Sequence, residues 1–387
     1  MGIDSRENLE TAIRLCGDAR KIFSKTSVDY ALALMNESNA RKILAEMDID
    51  NRENLETAIS LCGDARKIFS KTSVDYAYAL GKEANARQRL AEIGINSREN
   101  FETAVSLYGN SRQILFKANV PYALTLMNEG NARQRLAEMG INSRENFETA
   151  VSLCDNAKKI LSKKSADYAF VLINEGNARQ RLAEMGINSR ENLETAVTLY
   201  GDARDILSKK SADYALALVN ESNARQTLAK TGIDSRKNLE TAVTLCSNAR
   251  QILSKTSVDY ARALVNEGNT RQTLAEMGID SEENLKTAVS LYSNARQILS
   301  KKSADYAGML INEGNARRTL AEMGINIKEN LETAIILYND AKDILSKKSE
   351  FYARALINEG NARQTLAEMG IDSRKNLETA IRLCVNA

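Results

Sequence analysis

Residues 128–154 read NEGNARQRLAEMGINSRENFETAVSLC, and near-copies of this stretch fill the chain. Its marker NLETA, with small variants, begins at Asn8, Asn54, Asn100, Asn146, Asn192, Asn238, Asn284, Asn330 and Asn376, a constant spacing of 46 residues with no insertion. A fixed period overrides the two or three globular domains that 387 residues would otherwise suggest. Residues 1–387 are therefore expected to form one repeat array of eight full 46-residue units and a partial one.

Two segments of each unit, such as SADYAFVLINEGNARQRLAEMG and NSRENLETAVTLYGDARDILSKK, carry apolar residues at three- and four-residue spacing. Both predict helices, termed A and B here, and an all-α chain of seventeen helices. Helix A opens at Ser27, Ser165, Ser211 or an equivalent, and the single proline, Pro121, falls in a first turn, where no intrahelical amide bond is lost. Glycine after AEM closes it in most units. Helix B opens at Asp or Asn with Glu three residues on, as in Asp4 with Glu7, Asp50 with Glu53 and Asn96 with Glu99, which predicts a reciprocal capping box. Leu9, Ala12, Ile13, Leu15, Cys16, Ala19, Ile22 and Phe23 make helix B apolar around more than half its circumference. Such a helix needs neighbours on both sides, as in a stacked solenoid.

Lysine and arginine number 53 against 51 acidic residues, and a net charge of +2 sets up no field that would recruit nucleic acid or an anionic membrane. No apolar run reaches membrane-spanning length and none follows Met1, which predicts a cytoplasmic chain without a signal peptide. Cys16, Cys62, Cys154, Cys246 and Cys384 share one repeat position with Tyr108, Tyr200, Tyr292 and Tyr338, so they read as reduced core residues. The chain has no histidine, its cysteines are dispersed, and no metal or other cofactor is called for. The stretch DIDNRE from Asp48 opens like a calcium loop without the glycine at its sixth position, and no glycine-rich phosphate loop occurs.

The unit formed by these two helices resembles the tetratricopeptide repeat. Leu126 stands at the first-helix aromatic position, Gly130 at the small one, and Ala150, Cys154 and Ala157 carry the second-helix spacing. Glu129 and Arg133 replace that motif's leucine and tyrosine, and the unit is longer than the usual ~34 residues, so the chain reads as tetratricopeptide-like. The resemblance implies a right-handed superhelical α-solenoid of antiparallel helix pairs, with A helices lining the concave side.

Projected at 100° per residue, Glu129 and Arg133 fall inside the apolar arc of helix A. Their counterparts recur in all eight A helices, from Glu37 with Arg41 to Glu359 with Arg363, which predicts a buried or half-buried ladder that fixes register between units; a catalytic carboxylate is the remote alternative, since nothing beside it supplies a nucleophile or base partner. The opposite face carries Asn36, Asn128, Asn174, Asn220, Asn266, Asn312 and Asn358, with Lys82 as the exception in that series, and Asn39, Asn85, Asn131, Asn177, Asn223, Asn269, Asn315 and Asn361. A carboxamide offers donors and an acceptor that hold a peptide backbone without reading side chains. The resemblance also implies that asparagines at these places line a ligand groove. The bland alternative is that they bond to one another or to backbone.

Flanking positions vary while the asparagines do not. Tyr78, Phe170, Arg89, Arg135 and Arg181, with Lys82, gather aromatics and cations in units two to four, which suits an acidic peptide or a terminal carboxylate. Against this, Glu92, Glu138 and Glu184 lie three residues beyond each arginine. The expected function is therefore a protein- or peptide-binding scaffold and not an enzyme, with an RNA-binding helical-repeat protein or a structural spacer as alternatives. The chain begins and stops on B helices that lack a polar cap. This predicts a fragment of a longer array or end-to-end self-association.

Overall fold

A computed structural model of the chain describes residues 5–117 and 119–385. The cap expected at Asp4 lies outside them. The described residues hold seventeen α-helices and no strand. They fall into two compact units, Met1–Ile206 and Leu207–Ala387. The first holds α1 (Ser5–Ile22), α2 (Val28–Glu46), α3 (Asn51–Ile68), α4 (Val74–Glu92), α5 (Ser97–Ile114), α6 (Val120–Glu138), α7 (Ser143–Lys158), α8 (Ala166–Glu184) and α9 (Ser189–Ile206). The second holds α10 (Ala212–Lys230), α11 (Ser235–Ile252), α12 (Val258–Glu276), α13 (Ser281–Ala295), α14 (Ala304–Glu322), α15 (Ile327–Ile344), α16 (Glu350–Glu368) and α17 (Ser373–Val385). Even-numbered helices are the A helices and odd-numbered ones the B helices. Within each unit they stack as antiparallel pairs, each A helix packing most extensively on the B helix that follows it. This is the repeating array of antiparallel helix pairs expected from the sequence.

Local chemistry sets the helix ends. Each of Ser27, Ser73, Ser165, Ser211, Ser257, Ser303 and Ser349 caps an A helix by accepting the backbone N–H of a tyrosine three residues on. Asn119 does the same ahead of Pro121, whose ring sits in the first turn as expected. At the other end Gly94 lies at φ +86°, with its N–H bonded to Ala91 O at 3.0 Å and that of Ile95 to Leu90 O at 3.1 Å. This paired bonding is the Schellman closure, and it uses the glycine because a Cβ would be strained at that φ.

The capping box expected on helix B does not form. Asp50, Asn96, Asn142, Asp234, Asp280 and Asn326 precede their helices at φ between 41° and 43° with no side-chain cap bond. The connection reverses through two left-handed residues around one isoleucine, and Asp or Asn tolerates that conformation better than other non-glycine residues. The adjoining serine ties the turn down instead. Ser97 Oγ donates to Ala91 O at 2.8 Å and Ser143 Oγ to Ala137 O at 2.7 Å.

Alanines make close stacking possible. Ala31, Ala58, Ala77, Ala104, Ala123 and Ala150 are fully buried at successive A and B positions, beside Leu34, Leu55, Leu80 and Leu126. The cysteine position is core at Cys62, Cys154 and Cys246, whereas Cys16 is half-buried and Cys384 exposed. All five thiols are free. No described helix is long and apolar enough to cross a membrane.

Candidate functional site

Glu37, Glu83, Glu129, Glu175, Glu221, Glu267, Glu313 and Glu359 are all buried, at no more than 3 % exposure. Their charge stays in the interior because cations surround it. The arginine four residues on pairs with each, as in Arg41–Glu37 at 2.9 Å and Arg179–Glu175 at 2.7 Å. A second cation reaches across from the preceding B helix: Arg20, Arg66, Arg112 and Lys158 in the first unit, and Arg250, Arg296 and Lys342 in the second. The same arginines continue into the next B helix, where Arg179 donates to Asn192 Oδ1 at 3.3 Å and Asn192 Nδ2 donates to Ile187 O at 2.9 Å. This link recurs from Asn54 to Asn376. A chain of charge and carboxamide thus joins three consecutive helices. The sequence located the glutamate and arginine but missed the B-helix cation and the NLETA asparagine.

The opposite face of the A helices is open. Asn36, Tyr78, Arg89, Arg135, Arg181 and Asn361 are exposed, and Lys82, Phe170 and the other asparagines of the series are half-buried. The asparagines do not behave alike, and the B-helix residue behind them decides how. Tyr108 Oη donates to Asn85 Oδ1 at 2.6 Å, Tyr200 to Asn177 at 2.8 Å, Tyr292 to Asn269 at 2.8 Å and Tyr338 to Asn315 at 2.9 Å. The same oxygen also takes Nδ2 of the next A helix: Asn128 onto Asn85 at 3.3 Å, Asn312 onto Asn269 at 2.9 Å and Asn358 onto Asn315 at 2.8 Å. In these repeats the asparagines do bond to one another. Where the B helix carries cysteine, the short thiol cannot reach, and Asn39, Asn131 and Asn223 make no side-chain hydrogen bond.

The flanking arginines are already engaged. Arg89 pairs with Glu92 at 2.6 Å and Glu46 at 3.3 Å, Arg135 with Glu138 at 2.9 Å, and Arg181 with Glu184 at 2.8 Å and Glu138 at 3.7 Å. Burial opposes the charge on Arg181, but Glu184 and Glu138 outweigh it and hold the guanidinium above its ordinary value. Each of the three lines a shallow recess between A-helix ends; that of Arg135, beside Phe101 and Met139, measures about 520 Å³. In later repeats Thr227, Thr273, Thr319 and Thr365 turn their hydroxyls onto their own helix backbone. Among the described residues no group of three His, Cys, Asp or Glu is placed to hold a metal ion.

No protein-family model and no curated protein matches the sequence. Three solved structures of similar chain path are BtubC (BKLC) from P. vanneervenii, a Rap protein complexed with competence and sporulation factor, and the APC/C hetero-tetramer Cut9-Hcn1. They are 16 %, 11 % and 11 % identical, with TM-scores of 0.43, 0.41 and 0.38. The matches cover 63 %, 94 % and 98 % of this chain and 90 %, 99 % and 79 % of those chains. Likeness at this level carries nothing about function.

Proposed function

We propose that the chain is an interaction scaffold that takes an extended peptide or protein segment along the face formed by its A helices. The observation that carries this reading is a row of half-exposed carboxamides at one position of successive A helices, some without a partner, beside flanks that differ from repeat to repeat. Such groups suit a polypeptide main chain, which carries a donor and an acceptor per residue. The flanks then choose among side chains. An acidic ligand is the weaker form of the reading, because Arg89, Arg135 and Arg181 each already face a carboxylate. The same pairing leaves little free positive charge for an RNA backbone. The test offers the chain a random twelve-residue peptide library and a random single-stranded RNA pool. Enrichment of peptides and not of RNA supports the reading, and enrichment of RNA alone overturns it.

A further inference from the structure

The tyrosine repeats and the cysteine repeats present chemically different asparagines. In a tyrosine repeat the carboxamide oxygen is saturated: Asn85 Oδ1 takes Tyr108 Oη and Asn128 Nδ2, Asn269 Oδ1 takes Tyr292 Oη and Asn312 Nδ2, and Asn315 Oδ1 takes Tyr338 Oη and Asn358 Nδ2. A carbonyl oxygen has two lone pairs, so Asn85, Asn269 and Asn315 can offer an incoming chain only N–H groups, while Asn128, Asn312 and Asn358 each have an N–H already committed. In a cysteine repeat both partners are released together. Asn131 on α6 and Asn174 on α8 make no side-chain bond, and neither do Asn223 on α10 and Asn266 on α12. Each open carboxamide keeps an acceptor for a peptide N–H and a donor for a peptide C=O, the pairing that a single residue of extended main chain satisfies at once.

We propose that the tyrosines decide where a ligand is held: a bound extended peptide is gripped by its main chain at an open asparagine pair, Asn131 with Asn174 in the first unit or Asn223 with Asn266 in the second, and not at the tyrosine-closed Asn85, Asn269 and Asn315. This rests on the peptide-scaffold reading above. The pair on α6 and α8 sits on neighbouring helices that touch through Gln134 Nε2 and Asn174 O at 3.0 Å. Packed helix axes lie ~8–10 Å apart and an extended chain advances ~3.3 Å per residue, so the two grips fall roughly three residues apart on the ligand. Lys82 makes the earliest cysteine repeat different, since beside Asn39 it supplies donors and no acceptor.

Small residues facing the B helix give the test its handle. A Cβ on Gly176, Gly268 or Gly314 would come within 2.6–2.7 Å of the tyrosine ring it faces. Ser38 and Ser222 fill that space opposite Cys62 and Cys246, donating to Ala58 O and Ala242 O. Opposite Cys154, Gly130 has nothing nearer its missing Cβ than Ala150 at 3.6 Å. Cys154→Tyr therefore recreates the Gly176 and Tyr200 combination, and should close Asn131 without a steric penalty from Gly130.

The experiment selects peptides from a random twelve-residue phage library on the parent chain, then measures the affinity of the strongest synthetic peptide by fluorescence anisotropy. Four variants are compared: Asn131→Ala with Asn223→Ala, Asn85→Ala with Asn315→Ala, Asn223→Ala alone, and Asn223→Ala with Cys154→Tyr. Circular dichroism at the assay temperature checks that each is folded. The open-position double should weaken binding at least tenfold and the closed-position double less than twofold. Adding Cys154→Tyr to Asn223→Ala should weaken it at least tenfold beyond Asn223→Ala alone. If the closed double weakens binding as much as the open one, or Cys154→Tyr folds and adds no loss, the tyrosine gate is wrong while peptide binding stands. Should Cys154→Tyr not fold, the two asparagine doubles still decide the matter. If no peptide is enriched, the gate falls together with the scaffold reading beneath it.

Discussion

Gly176 of α8 lies against the ring of Tyr200 on α9 so closely that a Cβ would come within 2.7 Å of Tyr200 Cε1. The two residues are complementary in volume, and repeats with a smaller B-helix residue relax the demand: Ser38 faces Cys62 and Ser222 faces Cys246. Gly176→Ala should therefore cost about 1–3 kcal/mol, the usual penalty for overpacking a filled core. Combined with Tyr200→Cys, Gly176→Ser should recover much of that loss by reproducing the serine–cysteine pair. Urea midpoints for the single and double variants test this; a Gly176→Ala midpoint equal to the parent's would show that the ring moves aside freely. Opposite Tyr108 the corresponding A-helix position holds Ala84, which packs in the same core.

Glu175 is the buried centre of a charge cluster, with Arg179 on its own helix and Lys158 on α7, both about four-fifths buried, and with Asp155 also pairing to Lys158 at 2.9 Å. Glu175→Leu leaves Arg179 without a carboxylate and Lys158 with Asp155 alone, and should cost on the order of 3 kcal/mol or more. Replacing all three by Leu, Met and Met removes the unpaired charge and should cost much less. Equal and small shifts in urea midpoint for the single and triple changes would show that the cluster is solvated and does not fix register.

Much of this was legible in the sequence and some was not, for a physical reason. The 46-residue period, the serine caps, the closing glycines and the burial of Glu129 with Arg133 all follow from spacing along one helix. Arg20, Arg66, Arg112 and Lys158 lie seventeen residues before the glutamates they reach, and only the turn between two helices brings them there. A recurring cation at one B-helix position was the available signal. The bonds from Tyr108 and Tyr200 to Asn85 and Asn177 likewise join different helices, so the cysteine–tyrosine exchange read as a packing variation and not as a choice about which asparagines stay open.

Asn142 illustrates a local pattern with two physical readings. Asn142 and Glu145 fit a capping box, yet Asn142 stands at φ +42° with no cap bond. If the left-handed backbone is what selects asparagine, Asn142→Gly should be nearly neutral, and Asn142→Thr should cost about 1–2 kcal/mol because a β-branched residue is strained there. A capping role would reverse the second expectation, since threonine caps well. Thermal melts of the two variants separate these outcomes, and Glu145→Ala should leave the melt within a degree or two of the parent's.

Alkaline pH should loosen the array earlier than its ion pairs alone would suggest. Burial pushes Cys62 up to about 11 and Cys154 and Cys246 up to about 12, from an ordinary 9.0, and it holds Tyr108 and Tyr200 above the usual phenol range as well. Between roughly pH 9 and 11 an unfolded chain has released thiol protons that the folded chain retains, so the folded state binds more protons and stability falls as pH rises. Below pH 9 both states are protonated at these groups and no such dependence arises. The urea midpoint of the parent should therefore drop more between pH 8 and pH 10.5 than that of a Cys62→Ala, Cys154→Ala, Cys246→Ala variant, each measured against its own value at pH 8. Thiol titration at pH 8 gives an independent check, because exposed Cys384 should react quickly in the native chain while the three buried thiols wait for urea. An identical pH-dependent drop in parent and variant would mean that the thiols titrate alike in both states, and that the tyrosines or surface charges carry the whole effect.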